Sequence, residues 1–150
     1  MLAAMLVDGN PWVGIKDGDR RALALYRRHY SARTYRDRRE HCRFVGPGQR
    51  VALMTSDCAA LLVWRVSRRL DGQTGICCSI FRNEGPALSS DLLIQGEAFA
   101  WERWPDETRL FTHVDPTKIQ SDQPGYCFLM AGWTGWGWTR SGLRILEKCR

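Results

Sequence analysis

The sequence predicts one α+β domain, in which a mixed, mostly antiparallel sheet is flanked by helices. The chain has 150 residues, 44% of them hydrophobic and 25% charged, which suffices for one domain with a single core. Its apolar patterns run in the order helix, three strands, helix, strand, helix and two strands. A strand meander followed by alternating elements is typical of a sheet covered by helices.

The N-terminal part divides into an arm and the start of the domain. Residues 1–16 are expected to form a loose arm with a Gly-Asn-Pro turn at 9–11, and residues 17–150 to form the domain. Asp17–Asp19 can cap a helix over about Arg20–Tyr30, in which apolar residues recur on one face. The polar segment 31–43 leaves two alternatives open, a second short helix or a loop.

The central part predicts three consecutive antiparallel strands. A Gly-Pro-Gly turn at 46–48 precedes them, and short polar turns separate segments rich in β-branched and aromatic residues. The predicted strands are Arg50–Thr55, Ala59–Val66 and Thr74–Phe81.

The second half alternates helices and strands. Ser89-Ser90-Asp91 is typical of a helix start, and Pro105 requires this helix to stop near Trp104. The elements that follow are predicted as a strand, a helix or helix-like turn, and two strands, over Arg109–Val114, about Asp122–Ala131, Trp133–Thr139 and Leu143–Lys148.

The positive charge is concentrated in one third of the chain. The net charge is +6, but residues 20–50 alone carry +8, with ten arginines and no lysine. Arginine makes planar, bidentate contacts with phosphate, so this bias favours a nucleic-acid or nucleotide partner over the alternative, a solvated basic face. The residues expected to contact DNA are Arg27, Arg28, Arg33, Arg36, Arg38 and Arg39.

The cysteines and the hydropathy argue against two other classes. None of the six cysteines forms a C-x-x-C pair, so we predict no metal site and expect small buried thiols in a reducing cytoplasm. Met1–Val7 is apolar but too short for a signal peptide, and no run approaches the length of a membrane helix. We therefore expect no membrane partner.

The order of elements resembles the GNAT family of N-acetyltransferases. The corresponding residues run from Val114 through Ser121 and Cys127–Ala131 to Gly132-Trp133. In that family a Gly-rich turn before the central helix cradles the pyrophosphate of acyl-CoA. This chain has RNEGPALSSD at 82–91, where the proline supplies no N–H, and Phe128 stands at the family's usual tyrosine acid. The resemblance implies a small-molecule donor. Acyl-CoA is one candidate for it, but the loop that would bind the phosphates of acyl-CoA is degraded in this chain.

Shorter pieces resemble phage-encoded, acetyltransferase-like DNA modification enzymes of the Mom type. They are His29-Tyr30-Ser31, Arg82, Ser89-Ser90, Asp115 and Tyr126. The resemblance implies an enzyme, acting in the host cell cytoplasm, that alters a base in double-stranded DNA. Mom-type enzymes attach a carbamoylmethyl group to adenine N6 and so protect DNA from restriction.

The catalytic residues expected from these pieces are His29, Tyr30, Asp115 and Tyr126. Asp115 ends a predicted strand and His29 titrates near neutrality, so either can act as a base. Each also has a structural alternative. Asp115 can cap a turn beside Pro116, His29 can be satisfied locally at a helix end, and Tyr126, after Pro124-Gly125, can be a core tyrosine.

The residues expected to hold the donor are Arg82, Asn83, Ser89 and Ser90, with Arg82 as its anchor. Polar side chains at the exit of a strand commonly gather at a ligand site, although a solvated turn is the alternative for Arg82-Asn83-Glu84. Ser89 and Ser90 can also be N-caps. Trp133, Trp136 and Trp138 are expected to pack in the core or an interface, or to stack on an extruded base.

Two further functions stay open at this point. One is an acetyl-CoA-dependent N-acetyltransferase that acts on a small amine or a protein. The other is a non-catalytic DNA-binding protein with a GNAT-like fold.

Overall fold

The computed structural model describes residues 9–29, 32, 43–45, 48–66, 72–118 and 123–150. Within them, seven strands form one sheet in the order β1-β2-β3-β4-β5-β7-β6. The strands are β1 Trp12–Ile15, β2 Gln49–Thr55, β3 Ala60–Val66, β4 Ile76–Asn83, β5 Arg109–Val114, β6 Thr134–Trp138 and β7 Arg144–Cys149. The helices are α1 Arg20–Arg27, α2 Ser89–Arg103 and α3 Tyr126–Met130, with a 3-10 turn at Pro116–Lys118.

The sheet is mixed and mostly antiparallel, which confirms the predicted fold class. Every neighbouring pair is antiparallel except β4 and β5, which run parallel. The parallel pair has α2 as its crossover, because parallel strands need a long connection. The predicted three-strand meander corresponds to β2, β3 and β4.

Two apolar layers cover the sheet. On one face α2 and α3 pack on a cluster that includes Leu62, Trp64 and Leu146. On the other face α1 packs on a cluster that includes Leu61, Val63 and Ile80. Alternate residues of β3 therefore enter opposite layers, as the two-residue period of a strand requires.

The predicted loose arm is wrong for Trp12–Ile15, which pairs with β2 as the edge strand β1. The Trp12 side chain is fully buried, and its indole Nε1–H donates to the Leu92 carbonyl at 2.8 Å. Asn10 donates to the Gln95 carbonyl at 3.1 Å. These contacts join residues about 80 positions apart, which no local pattern reveals.

Helix α1 begins as predicted and ends earlier. Asp19 accepts hydrogen bonds from the backbone N–H groups of Arg21 and Ala22, which confirms it as the N-cap. The helix ends at Arg27 rather than Tyr30. The alternatives for segment 31–43 concern residues that lie mostly outside the described part.

Helix α2 has the predicted length but not the predicted cap. Its N-cap is Leu88, which has no side chain able to accept a hydrogen bond, and Ser89 and Ser90 are the first two helical residues. The N-cap alternative for these serines is therefore wrong. Ser90 is buried, and the first N–H groups of the helix remain without a side-chain cap.

Helix α3 is shorter than the predicted segment 122–131. It starts at Tyr126 because Gly125 adopts a left-handed backbone conformation, with φ of 81°. A Cβ at Gly125 would lie 2.3 Å from Leu146 Cδ1, so any other residue would displace the Leu146 side chain in addition to straining the left-handed backbone.

The cysteines follow the expectation only in part. Cys77 and Cys78 are buried in the sheet, as expected for small apolar residues, but Cys149 is exposed at the end of β7. Cys42 lies outside the described residues. In the described part of the chain no helix is long and apolar enough to cross a membrane.

Candidate active site

A cavity opens where the two parallel strands separate. β4 and β5 pair only over Ile76–Cys78 and Leu110–Thr112. On its other side β4 carries a bulge, because Val63 faces Ile80 while Trp64 faces Cys78, which leaves Ser79 without a paired residue. A bulge bends its strand. Ser79 lines the resulting cavity of about 350 Å³.

Aromatic side chains form much of the cavity wall. Phe81 of β4 and Phe128 of α3 meet edge to face, with ring centroids 6.2 Å apart. Phe128 in turn packs edge to face on Trp133 at 4.8 Å. Tyr126 lies at the rim with 55% of its surface exposed. Such walls suit a planar, apolar ring.

His29 lies just after α1, where its backbone N–H donates to the Tyr26 carbonyl at 2.8 Å, and lines the cavity. It is 9% exposed. Burial lowers the pKa of His29 to about 4, the positive charge of Arg82 acts in the same direction, and a hydrogen bond to the Phe81 backbone opposes both. The imidazole is therefore neutral at pH 7 and keeps a lone pair, while its burial and the charge of Arg82 make it a weaker proton acceptor than an exposed histidine.

A second depression, the basic cleft, adjoins the cavity and shares His29 and Phe81 with it. It has a volume of about 470 Å³. Its lining residues are Arg28, His29, Phe81, Arg82, Asn83, Ser89 and Lys118. Three cationic side chains, those of Arg28, Arg82 and Lys118, thus line the cleft beside the aromatic-walled cavity.

Glu84 holds the two arginines of the basic cleft. Arg28 donates from Nε to Oε2 at 2.6 Å and from Nη2 to Oε1 at 2.8 Å. Arg82 donates from Nε to Oε2 at 2.9 Å. Hydrogen bonds from Arg28, and then from Arg82, lower the pKa of Glu84 to about 2. Arg28 was predicted to grip DNA, and in this structure its partner is Glu84.

Asn83 braces the loop between β4 and α2. Its Nδ2 donates to the Ala87 carbonyl at 2.7 Å and to Ser89 Oγ at 3.0 Å, and its Oδ1 accepts from the Gly85 N–H at 3.0 Å. The predicted donor residues Arg82, Asn83 and Ser89 therefore meet at the basic cleft, while the buried Ser90 is not part of its lining.

This loop does not fit the pyrophosphate of acyl-CoA in the manner of a Gly-rich cradle. A Cβ at Gly85 would lie 2.8 Å from Ala59 Cβ, so the glycine permits packing against the β2–β3 turn rather than an approach of phosphate. Pro86 has no N–H to donate, and the neighbouring Glu84 carboxylate is negatively charged. We assign no step to acyl-CoA.

Asp115 caps the 3-10 turn that follows β5. Its Oδ1 accepts from the Thr117 N–H at 3.0 Å and from Thr117 Oγ1 at 2.6 Å, and these hydrogen bonds lower its pKa. Its Oδ2 lies 4.0 Å from Lys118 Nζ. Asp115 is not among the residues that line the cavity or the basic cleft. Its role as a base stays a prediction.

The three tryptophans after α3 differ in their surroundings. Trp133 is buried and stacks on Trp64 with ring centroids 6.2 Å apart, so core packing is confirmed for it. Trp136 and Trp138 are 56% and 61% exposed on the edge strand β6. The guanidinium of Arg109 lies 5.3 Å from the Trp136 ring centroid. Core packing is wrong for these two, and packing in an interface and base stacking both stay predictions.

An ion pair between a buried carboxylate and a half-buried lysine supports the wall behind Phe128. Glu97 of α2 is 5% exposed, and accepts from Lys148 Nζ of β7 at 2.9 Å and from Trp133 Nε1 at 2.9 Å. Lys148 also donates to the Ala131 carbonyl at 2.9 Å. Burial raises the pKa of Glu97, whereas the bonds from Lys148 and Trp133 oppose that shift. The group ties α2, α3 and β7 together.

The structure brings together some of the predicted site residues. His29 and Tyr126 meet at the cavity, and Arg28 joins Arg82 at the basic cleft. Arg27 is exposed at the end of α1 and lines neither of them. The predictions for Tyr30, Arg33, Arg36, Arg38 and Arg39 lie outside the described residues.

Sequence reasoning missed Lys118 and Glu97 as site or support residues, and it named Glu84 only within the polar triplet Arg82-Asn83-Glu84, without a role of its own. Glu97 had a usable signal, because it is an acidic residue on a helix face that is otherwise apolar. Glu84 had a weaker one, since it stands two residues after Arg82 at a strand exit.

Comparison with known proteins supports the fold and nothing finer. The crystal structure of the GNAT domain of S. lividans PAT is similar to this chain with a TM-score of 0.60 and 18% sequence identity, over 93% of this chain and 89% of that chain. No protein-family model and no curated protein matches the chain. The chain therefore has a GNAT-like α+β fold.

Proposed function

We propose that this protein is a transferase that modifies a base in double-stranded DNA, in the manner of the phage Mom-type enzymes that it resembles. One observation carries the proposal: an aromatic-walled cavity opens directly beside a cleft lined by three cations. A nucleotide has the same two parts, a planar ring and an attached phosphate. A base must leave the duplex stack to be modified, and the cavity supplies a place for it.

The cavity residues suit transfer to an exocyclic amine. In the proposed step the amine nitrogen attacks an electrophilic carbon of an activated donor, so that an N–C bond forms and the leaving group departs with the electron pair of its bond to that carbon. The amine proton passes to His29, whose imidazole is neutral. The Tyr126 hydroxyl, at the rim, donates a hydrogen bond to the leaving group or to the base.

The second candidate is an N-acetyltransferase that acts on a small amine or a protein. The GNAT-like fold favours it as much as it favours DNA modification. The loop at Glu84–Pro86 weighs against the usual way of binding acetyl-CoA, because it lacks the Gly-rich cradle. A non-catalytic DNA-binding protein is the third candidate, and the basic cleft suits it equally.

Mass spectrometry of nucleosides separates these candidates. DNA from cells that express the protein is expected to contain a modified nucleoside that is absent from cells with an empty vector. Tight binding of acetyl-CoA by calorimetry, without DNA binding, would favour the N-acetyltransferase. Salt-dependent DNA binding without any new nucleoside would favour the non-catalytic protein.

Asp115→Ala is expected to lower the yield of that nucleoside by no more than about tenfold. The reason is that Asp115 caps a turn and lies near Lys118, outside the cavity, so its loss shifts a cleft residue rather than removing the proton acceptor. The same mass spectrometry measures the effect. Complete loss of product from a variant that folds normally would instead identify Asp115 as the base.

A further inference from the structure

Glu84 occupies the space between the two arginines of the basic cleft. Its carboxylate accepts two hydrogen bonds from Arg28 and one from Arg82. A carboxylate bound by two guanidinium groups uses the same donors that would bind a phosphate. The cleft is thus built around an anion that the chain itself supplies.

The Glu84 side chain can leave without a change in the backbone. The backbone N–H of Glu84 donates to the Ala59 carbonyl at 2.8 Å, and the backbone N–H of the next residue, Gly85, donates to Asn83 Oδ1. The side chains of Arg28, Arg82 and Glu84 are 51%, 36% and 28% exposed, so all three are accessible to a ligand from solvent. Exchange of one anion for another therefore needs only side-chain rotation.

We propose that Glu84 is an internal counter-ion in a phosphate site formed by Arg28, Arg82 and Lys118, and that a phosphodiester of the DNA strand displaces it. The phosphate belongs to the nucleotide whose base enters the adjoining cavity, because the cavity and the cleft share His29 and Phe81. The identity of this phosphate rests on the proposed function. The displacement itself depends only on the contacts of the cleft.

A phosphodiester satisfies this cleft better than the carboxylate does. Lys118 lies in the lining, with its Nζ 4.0 Å from Asp115 Oδ2, and no described contact joins it to Glu84. The Ser89 hydroxyl is also part of the lining. A phosphate group offers more acceptor oxygens than a carboxylate, so it can engage both arginines and the ammonium together. Without DNA, Glu84 offsets one of the two positive charges of the arginines and weakens the binding of unrelated anions.

The test is Glu84→Gln, measured by fluorescence anisotropy with a labelled single-stranded oligonucleotide. Removal of the competing carboxylate is expected to tighten oligonucleotide binding about 3- to 30-fold, from the usual strength of two exposed ion pairs. Glu102→Gln is the matched control, because it makes the same charge change at an exposed position about 20 Å away along α2. This control is expected to bind as the wild type does.

A variant without the two arginines controls for an indirect effect of Glu84→Gln on oligonucleotide binding. In Arg28→Gln/Arg82→Gln protein, adding Glu84→Gln is expected to leave oligonucleotide affinity unchanged, because the arginines that Glu84 occupies are gone. Unchanged or weaker binding by the single Glu84→Gln variant, with a normal unfolding midpoint, overturns the proposal. An equal gain from Glu84→Gln in both backgrounds also overturns it.

Two ligands distinguish a free nucleotide from a DNA strand as the source of the phosphate. The assay for a modified nucleoside tests the proposed function separately. Calorimetry with AMP and adenosine shows whether a free nucleotide binds at the site. If Glu84→Gln tightens the binding of AMP but not that of the oligonucleotide, the proposal that a phosphodiester of the DNA strand displaces Glu84 is overturned. A gain for the oligonucleotide without any modified nucleoside supports the site while contradicting the proposed function. A modified nucleoside without any gain in affinity overturns the role of Glu84 alone.

Discussion

Replacing His29 with glutamine is expected to lower the yield of modified nucleoside by a factor of about 10²–10⁴, the usual contribution of a positioned acid or base. Glutamine keeps a hydrogen-bond donor for the Phe81 backbone but cannot accept a proton at neutral pH. Nucleoside mass spectrometry at matched expression measures the loss. Tyr126→Phe, at the rim of the same cavity, is the comparison, and its loss is expected to be smaller.

The same variant has a stability signature that does not depend on activity. His29 has a pKa of about 4 in the folded protein against 6.5 in the unfolded chain. Between these values the unfolded chain binds more protons, so stability falls as the pH drops from about 6.5 to about 4. The titration of His29 is expected to lower the free energy of unfolding of the wild type by about 2 kcal/mol between pH 7 and pH 5.

Urea unfolding at the two pH values tests this signature. The His29→Gln protein is expected to lack the loss of stability that His29 causes, because glutamine does not titrate. An identical pH dependence in both proteins would mean that His29 is not buried as a neutral group. The proposed proton transfer to His29 would then lose its structural basis.

Replacing Glu97 with alanine is expected to lower the free energy of unfolding by about 2–4 kcal/mol. The change leaves the buried Trp133 indole N–H without its acceptor and leaves Lys148 with only the Ala131 carbonyl, and Lys148, at 30% exposure, recovers part of its solvation from water. Urea unfolding at pH 7 measures the loss. Glu102→Ala, at an exposed position on the same helix, is expected to change stability by less than about 0.5 kcal/mol.

The Glu97 variant also tests how the cavity is held. Trp133 supports Phe128, which lines the cavity, so loosening of Trp133 is expected to reduce activity in protein that is still folded. Glu97→Gln retains an acceptor for Trp133 and is expected to keep more activity than Glu97→Ala. A loss of stability below about 1 kcal/mol for Glu97→Ala would contradict the role of this ion pair.

Most elements of the fold were predictable because their signals are local. The β5 strand was predicted with the bounds that the structure has, and Asp19 caps α1 as expected. The errors occurred where a distant contact decides the outcome. Trp12 joins the sheet through β2 and α2, and Gly125 shortens α3 because its turn lies against Leu146.

The candidate site was predictable only as a set of residues. The residue types of the site were expected from the sequence, but the charge states of these residues and their hydrogen-bond partners were not. The neutral state of His29 follows from its burial beside Arg82, and the partners of Arg28 and Arg82 follow from the position of Glu84. Asp115 was expected to act as a base or to cap a turn, and its described hydrogen bonds to Thr117 are those of a turn cap.

The sequence alone determined the order of the helices and strands that follow β1, the α+β class and the concentration of arginine in residues 20–50, because periodicity, chain breakers and charge are properties of neighbouring residues. Only the tertiary structure decided that β4 separates from β5 at a bulge, that the opening has aromatic walls, and that Glu84 holds the two arginines beside it. Most of these features depend on contacts between residues far apart in the chain. At such contacts, burial and ion pairing determine the charge of the side chains and their affinity for ligands.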